Sequence, residues 1–301
     1  MKNNSTSGSG NGHKKTIQFT HPPKRIVSLV PSLTESMFDL GLGEAIVGIT
    51  DYCIRPTETV KRLPRLGGPK DPHLDEIIQL KPDLVLANQE ENTLKDVETL
   101  ENAGIKVWVS FPKTIRQSVD TLWALAGIFQ SRVAVIRIET LELTLDWAEE
   151  AVKSEPVIPY FCPIWCDQTE GGVKWWMTFN ENTYANDVLR LMGGNNIFSR
   201  RQRLYPLEAD LGIAPAEEAG ERDTRYPRIP LIDLQNCSPE VILLPSEPYG
   251  FKEQHVDEFY RILPESAAVR NNRIRLVDGS LFTWPVTRLA RALRELPGIF
   301  S

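Results

Sequence analysis

The sequence predicts an α/β protein with two similar lobes, each built on a mostly parallel sheet, joined by one long rigid helix. Short apolar segments alternate with helical ones along both halves, as in parallel α/β layers. Matched helix glycines and strand prolines recur at an offset of about 150 to 157 residues, which indicates two related lobes. A long amphipathic helix lies near mid-chain. The predicted domains are a disordered arm (1–23), a first lobe (24–130), the connecting helix (131–155) and a second lobe (156–301).

The composition is that of a globular protein of ordinary polarity. The chain has 301 residues, of which 41% are hydrophobic and 25% charged, which is enough to form two cores. Its net charge of −6 provides no basic excess for phosphate binding, so we expect no nucleic-acid partner. No apolar run approaches the length needed to cross a bilayer.

The N-terminal arm and the cysteines bear on the compartment. The first 23 residues are rich in Gly, Ser and Asn and lack an apolar signal core, so the sequence as written predicts a cytoplasmic protein. An upstream signal would make it periplasmic or cell-surface. Cys53 and Cys237 stand alone, and we expect free thiols. Cys162 and Cys166 have a spacing that suits a metal, but no second pair of ligands accompanies them.

The first lobe opens with a strand, a helix and a second strand. Lys24 to Val30 is a short β-rich apolar run, and Ser32 and Glu35 after it have capping-box spacing, so a helix should run from there to Gly41 or Gly43. The remaining predicted elements of this lobe are a strand at Ala45 to Thr50, a helix from Leu74, a strand at Leu84 to Ala87, a helix over Thr93 to Ala103, a strand at Lys106 to Ser110 and a helix over Ile115 to Phe129.

The central helix is predicted from a single apolar stripe. Its apolar positions recur at alternating steps of four and three from Ala134 to Val152. Ser131 can cap its first turn, and Pro156 disfavours its continuation past Glu155. A helix of this length spans roughly 35 Å and could brace two lobes. Periodicity alone fits a core helix of one large domain equally well.

The second half repeats the pattern of the first. Predicted here are a strand at Val157 to Phe161, an aromatic loop over Cys162 to Phe179, a helix over Thr183 to Met192, a strand within Ser238 to Leu244, a strand at Ile274 to Val277 and a helix over Val286 to Leu296. The polar segment Arg200 to Arg228 has few apolar positions, and we expect it to lie on the surface.

Five features together resemble a known family: the central helix and the motifs KRIVSLVPSLTE, LDEIIQLKPDLVLA, TYANDVLRLMGGNNIF and SPEVILLPSEP. They resemble the substrate-binding proteins of ABC importers for vitamin B12, haem and iron siderophores, the helical-backbone metal receptors or class III periplasmic binding proteins. The resemblance covers roughly Lys24 to Leu296. It implies two lobes with little hinge motion, a metal chelate held between them, no intrinsic cofactor and no catalysis.

The resemblance also implies which residues line the cleft. The first lobe would contribute Pro31, Ser32, Leu33, Pro69, Lys70, His73 and Asn88, and the second lobe Trp176, Met177, Tyr226, Phe282, Trp284 and Arg288. Aromatic rings suit the faces of a corrin, a porphyrin or a catechol, although each ring could equally pack in a core. Lys70, Lys174 and Arg288 are candidates to bind an anionic chelate.

In such proteins an acidic residue on each lobe contacts the importer. The matching positions are Asp75, with Glu76 beside it, in the first lobe, and Asp233 in the second, one place later than the same count gives. The partners expected are therefore a small-molecule chelate and an ABC importer permease, with the protein itself a monomer.

Two alternatives use the same two-lobed fold. One is an intracellular protein that handles a tetrapyrrole or metal chelate, and the other is a two-domain, transferase-like enzyme. The sequence lacks a Gly-x-Gly-x-x-Gly after the first strand, a Walker loop and a Gly-x-Ser-x-Gly, which disfavours the enzyme. Outside the arm only His73 and His255 remain, with His21 at its end, too few for a typical bare-metal site. His73 is the histidine best placed to ligate a chelated metal.

Overall fold

The computed structural model describes residues 17, 19–153 and 156–301. The first lobe alternates strands and helices along the whole of its length. Its elements are β1 (Ile26–Ser28), α1 (Pro31–Asp39), β2 (Ile46–Ile49), α2 (Thr57–Val60), α3 (Leu74–Gln79), β3 (Leu84–Asn88), α4 (Leu94–Asn102), β4 (Val107–Ser110) and α5 (Ile115–Phe129).

The second lobe follows the connecting helix α6 (Arg132–Val152). Its elements are β5 (Ile158–Phe161), β6 (Trp165–Gln168), β7 (Lys174–Met177), α7 (Tyr184–Leu191), β8 (Gly194–Asn196), α8 (Leu207–Asp210), β9 (Arg228–Pro230), α9 (Leu231–Cys237), β10 (Val241–Pro245), α10 (Glu253–Ile262), α11 (Ala267–Arg270), β11 (Ile274–Val277), α12 (Ser280–Thr283) and α13 (Arg288–Glu295).

Each lobe contains one four-stranded parallel sheet, which confirms the predicted fold class. The strand order is β2-β1-β3-β4 in the first lobe and β11-β10-β5-β8 in the second. All five residues of β3 and all five of β10 are buried, as expected for parallel strands covered on both faces. The carboxyl ends of these strands form one edge of the sheet in each lobe. Ligands of open α/β sheets bind in crevices at this edge.

The connecting helix forms as the periodicity predicts. The Ser131 hydroxyl accepts a hydrogen bond from the Ala134 amide at 3.2 Å, the predicted cap. Ala134, Ile138 and Leu145 on the predicted stripe are almost completely buried. The helix contacts α5 of the first lobe and both α7 and α13 of the second, so it braces the two lobes. The predicted C-terminal limit at Glu155 lies outside the described residues.

Two local predictions are wrong. Helix α1 begins at Pro31, so Ser32 lies inside the first turn and forms no capping box with Glu35. Proline suits this position because the first helical amide has no intrahelical acceptor. The aromatic stretch predicted as a loop instead contains β6 and β7, which with β9 form a separate antiparallel sheet.

The polar segment before β9 lies largely on the surface, as predicted, and is held in place by buried hydrogen bonds. Asp210 is fully buried, and its carboxylate accepts hydrogen bonds from the backbone amides of Leu204, at 2.9 Å, and Arg228, at 2.7 Å. The side chain of Asn180 donates to the carbonyls of Arg201 and Thr224. These contacts fix the segment so that its last residues reach towards the first lobe.

Candidate ligand-binding cleft

The first turn of α1 lies at the carboxyl end of β1. Pro31, Ser32 and Leu33 are all buried there, as predicted for this side of the cleft. The Ser32 hydroxyl is buried and has no hydrogen-bond partner among the described residues. A buried hydroxyl without a partner costs free energy, so this group is suited to bind a ligand.

Glu90, just beyond β3, connects the two lobes. Its Oε1 atom accepts a hydrogen bond from the Tyr226 hydroxyl at 2.7 Å and lies 2.6 Å from Nη1 of Arg225. Both partners come from the end of the polar segment in the second lobe. The Arg225 guanidinium also lies 4.9 Å from the centre of the Phe111 ring, in the first lobe. The predicted cleft residue Tyr226 therefore does bridge the lobes.

Three predicted residues hold the loop that carries Glu90. The Asn88 side chain accepts a hydrogen bond from the Glu90 amide at 2.8 Å. The Lys70 ammonium donates to the Glu90 carbonyl at 2.5 Å, and the Pro69 carbonyl accepts from Asn92 at 2.9 Å. The structure thus brings together Pro69, Lys70 and Asn88. Their polar groups form hydrogen bonds that hold the loop of Glu90 in place.

Two further carboxylates face this loop. Burial raises the pKa of Glu91 to about 7. The negative charges of Glu90 and Glu247 add to this rise, and the positive charge of Lys70 opposes it. Glu247 follows β10 in the second lobe, and burial also raises its pKa. It accepts a hydrogen bond from the Thr283 hydroxyl at 3.3 Å, and Trp284 lies beside it. The predicted residue Trp284 is therefore half-buried beside an acidic group of the second lobe.

Arg288 links the second lobe to α1. Its Nη1 atom lies 2.6 Å from Glu35 Oε1, and its guanidinium also donates to the Ser280 hydroxyl at 2.5 Å. Its guanidinium carbon is 5.5 Å from the centre of the Trp284 ring. Arg288 is 3% exposed, and its donors are already engaged, so it fixes the lobes rather than offering a free charge to an anionic ligand.

Three residues predicted for the cleft or its charge pack against, or pair with, other parts of the protein. Trp176 is 1% exposed and packs against Phe259 in a core of the second lobe, with ring centres 5.5 Å apart. Phe282 is completely buried. Lys174, on β7 of the antiparallel sheet, forms an ion pair with Glu258 of α10. Met177, beside Trp176 on the same strand, is half-buried. Aromatic type alone could not separate these core residues from cleft residues.

The predicted importer contacts occupy equivalent places in the two lobes. Asp75 lies in the first turn of α3, just before β3, and Asp233 lies in the first turn of α9, just before β10. Asp75 and Glu76 are exposed, whereas Asp233 is partly covered and lies 3.7 Å from Arg201. His73 is exposed and lies 3.1 Å from Glu76, so its imidazole is directed at that acid.

The sequence interpretation missed Glu35, Glu90, Glu91 and Glu247, although one signal was present. Glu90 follows Pro82 by eight positions, and Glu247 follows Pro239 by the same count. Extending the internal repeat beyond the strands places the two carboxylates at equivalent strand ends. No local sequence pattern indicates that Arg225 reaches the opposite lobe, because that contact depends on the path of a long irregular segment.

His255 and Cys162 are both enclosed within the second lobe. His255 is buried, and its Nδ1 accepts a hydrogen bond from the Lys252 amide at 2.9 Å. Cys162 is fully buried, and burial raises the pKa of its thiol. Within residues 17, 19–153 and 156–301, no three or more His, Cys, Asp or Glu side chains are grouped to hold a metal ion. None of the described helices is long and apolar enough to cross a membrane.

Two α/β lobes braced by one helix, with polar groups from both converging at the strand ends, define a bilobal ligand-binding protein. Residues 26–281 match the model of the periplasmic binding protein family, and the chain belongs to that family.

Relatives and solved structures agree with this assignment. The vitamin B12-binding protein of Vibrio vulnificus (strain YJ016) is 27% identical over 188 residues, which cover 62% of this chain and 65% of that protein. The match thus spans just under two thirds of the relative's length.

The periplasmic vitamin B12-binding protein of Vibrio cholerae superposes with a TM-score of 0.72 at 22% identity, covering 93% of this chain and 97% of that one. A periplasmic haem-binding protein from Roseiflexus sp. RS-1 gives 0.70 at 21% identity, covering 92% and 97%. These two likenesses establish the fold.

Proposed function

We propose that this protein is the substrate-binding component of an ABC importer and holds a metal chelate of the cobalamin, haem or ferric siderophore type between its lobes. The observation that carries this proposal is the contact of Glu90, at the carboxyl end of β3 in the first lobe, with Tyr226 and Arg225 of the second lobe. Family membership supports a binding role over the enzyme and intracellular-handling alternatives.

The charges around the cleft favour a corrinoid within this class. Glu91 and Glu247 supply acidic groups whose pKa values are raised by burial, whereas Lys70, Arg225 and Arg288 are engaged by protein acceptors, Arg225 by Glu90. Such a lining repels a highly anionic ferric catecholate and tolerates a neutral or cationic chelate with many amide groups. The vitamin B12-binding relatives agree with this order of preference.

The test is a titration of the protein with hydroxocobalamin, haemin and a ferric catecholate, following tryptophan fluorescence and ligand absorbance. Saturable binding of hydroxocobalamin is expected, weakened at least tenfold in Trp284→Ala, equivalent to about 1.4 kcal/mol. Trp147→Ala is the matched control, because Trp147 is 75% exposed on α6. No saturable response to any of the three chelates would overturn the proposal, and equal weakening by both substitutions would place the ligand outside the cleft.

Delivery to a permease through Asp75 and Asp233 is the second part of the proposal. Their equivalent places before β3 and β10 support it, since a two-fold importer would meet both lobes alike. Delivery also requires a periplasmic or cell-surface location. Asp75→Arg with Asp233→Arg should abolish ligand uptake by cells while leaving binding in solution intact. Cell fractionation tests the location, and retention of the protein in the cytoplasm would contradict the importer role.

A further inference from the structure

A second cavity lies between the lobes, away from the strand ends. It encloses about 420 Å³ and is bounded by α1 from Glu35 to Leu40, by the middle of α6 and by α13. The cleft lies at the N-terminal end of α1, whereas this cavity follows that helix towards its C-terminal end. A ligand in it would touch both lobes and the connecting helix.

The cavity has an apolar floor. Leu40, Leu122 and Ile138 are each 1% exposed, and Leu141 is 7% exposed. A floor of packed aliphatic side chains favours an apolar body over a fully hydrated ion.

The rim of the cavity carries four arginines and two acids. Arg288 lies at the inner end and is fully engaged by Glu35 and Ser280. Arg137 reaches in from α6, where it donates to the Asp39 carbonyl, and Arg291 and Arg294 reach in from α13.

The three outer arginines retain unused donors. Arg291 binds Glu295 through Nε at 2.7 Å, and Arg294 binds the same carboxylate through Nη2 at 3.2 Å. The terminal nitrogens of Arg291 form no hydrogen bond with another described residue. The Asp39 carboxylate is occupied by the Thr287 hydroxyl at 2.7 Å. Guanidinium groups around an apolar floor match an anionic head on an apolar tail, because each guanidinium can bind a carboxylate or phosphate through paired N–H groups.

We propose that this cavity binds a small amphiphilic anion, with its carboxylate or phosphate between Arg137 and Arg291 and its apolar part against Leu122, Ile138 and Leu141. The four arginines of the rim outnumber its two acids, Glu35 and Asp39, on a chain of net charge −6. Apart from Glu35 and Arg288, the residues that line this site differ from those described for the cleft, and its test does not require a cleft ligand.

The experiment is calorimetric titration of the full chain with decanoate, octyl phosphate and decan-1-ol. We expect saturable one-to-one binding of both anions and at least tenfold weaker binding of the uncharged alcohol. The double substitution R137Q/R291Q should weaken anion binding at least tenfold, whereas Arg261→Gln, an exposed arginine on α10, should leave it unchanged. Comparing the two anions shows whether the head group is preferentially a carboxylate or a phosphate.

A steric variant locates the site without removing charge. Ala290 is exposed on the cavity rim, so Ala290→Trp should obstruct the cavity and prevent decanoate binding. Ala124→Trp, on the exposed side of α5, is its control. Thermal unfolding confirms that all variants fold. Equal affinity for decanoate and decan-1-ol, unchanged binding in R137Q/R291Q or A290W, or no saturable binding would each overturn the proposal.

Discussion

Individual carboxyl groups set the electrostatics of the cleft. Glu91 is the most strongly perturbed of them with a pKa of about 7, because it is covered by protein and lies near Glu90 and Glu247. Its charged form is disfavoured in the folded state and ordinary in the unfolded state. The folded protein therefore binds this proton more tightly between the usual carboxyl pKa of 4.5 and about 7.

Stability should fall as the pH rises through this window. The contribution of Glu91 is at most about 1.4 kcal/mol per pH unit, because that is the free energy equivalent of one pKa unit. In Glu91→Gln, which cannot ionise, this component of the slope should vanish, and the variant should be more stable than the parent at pH 8. Urea unfolding at pH 5, 6, 7 and 8 measures it, with Glu98→Gln on the exposed face of α4 as control. A parental slope retained in Glu91→Gln would show that another group titrates.

The Glu35 and Arg288 pair is the second feature at the residue scale. Removing one member of a buried ion pair leaves the other charge without its partner, so Arg288→Met should cost about 3 to 5 kcal/mol of unfolding free energy. The double variant E35M/R288M should recover part of this loss, because no lone charge then remains. Denaturant titration of the two single variants and the double variant gives the coupling energy. Strict additivity would contradict a direct interaction across the lobes.

At the scale of elements, the antiparallel sheet of β6, β7 and β9 differs most from expectation. It buries Trp176 against Phe259 and Phe161, and thereby forms a separate apolar cluster in the second lobe. The hairpin thereby contributes Trp176 to the core of this lobe.

Trp176→Ala should therefore act on stability. Truncating a large buried aromatic side chain typically costs about 3 to 5 kcal/mol, through lost burial and the cavity left behind. The exposed Trp147→Ala should change stability by no more than about 0.5 kcal/mol. Thermal and urea unfolding of both variants measures the difference. A fully stable Trp176→Ala with impaired chelate binding would instead restore the prediction that Trp176 lines the cleft.

At the scale of the whole molecule, the lobes are held by α6 and by contacts between α1 and the start of α13. The Thr287 hydroxyl lies 3.0 Å from the Ser36 hydroxyl, and the Val286 amide donates to Ser118 at 2.5 Å. A single braced helix with such side contacts restricts hinge closure.

Ligand binding should consequently move the lobes little. Cys237 is exposed in the second lobe, whereas Cys53, Cys162 and Cys166 are buried, so Cys237 offers a natural site for a spin label. Paired with a cysteine introduced at the exposed Asn102 of the first lobe, its interlabel distance should change by less than about 2 Å when the chelate is added. Pulsed electron paramagnetic resonance measures this distance. A larger change would identify a hinged binding protein.

The sequence by itself determined the features that depend on local periodicity and on internal repetition. The stripe of α6, its Ser131 cap, the buried strands β3 and β10 and the paired positions of Asp75 and Asp233 all follow from residues close together in the chain. The approach of Arg225 and Tyr226 to Glu90, the burial of Trp176 and the arginine-rimmed cavity were decided only by tertiary structure. These features join residues many tens of positions apart, and neither the pattern of neighbouring side chains nor their chemical type encodes which surfaces the fold brings together.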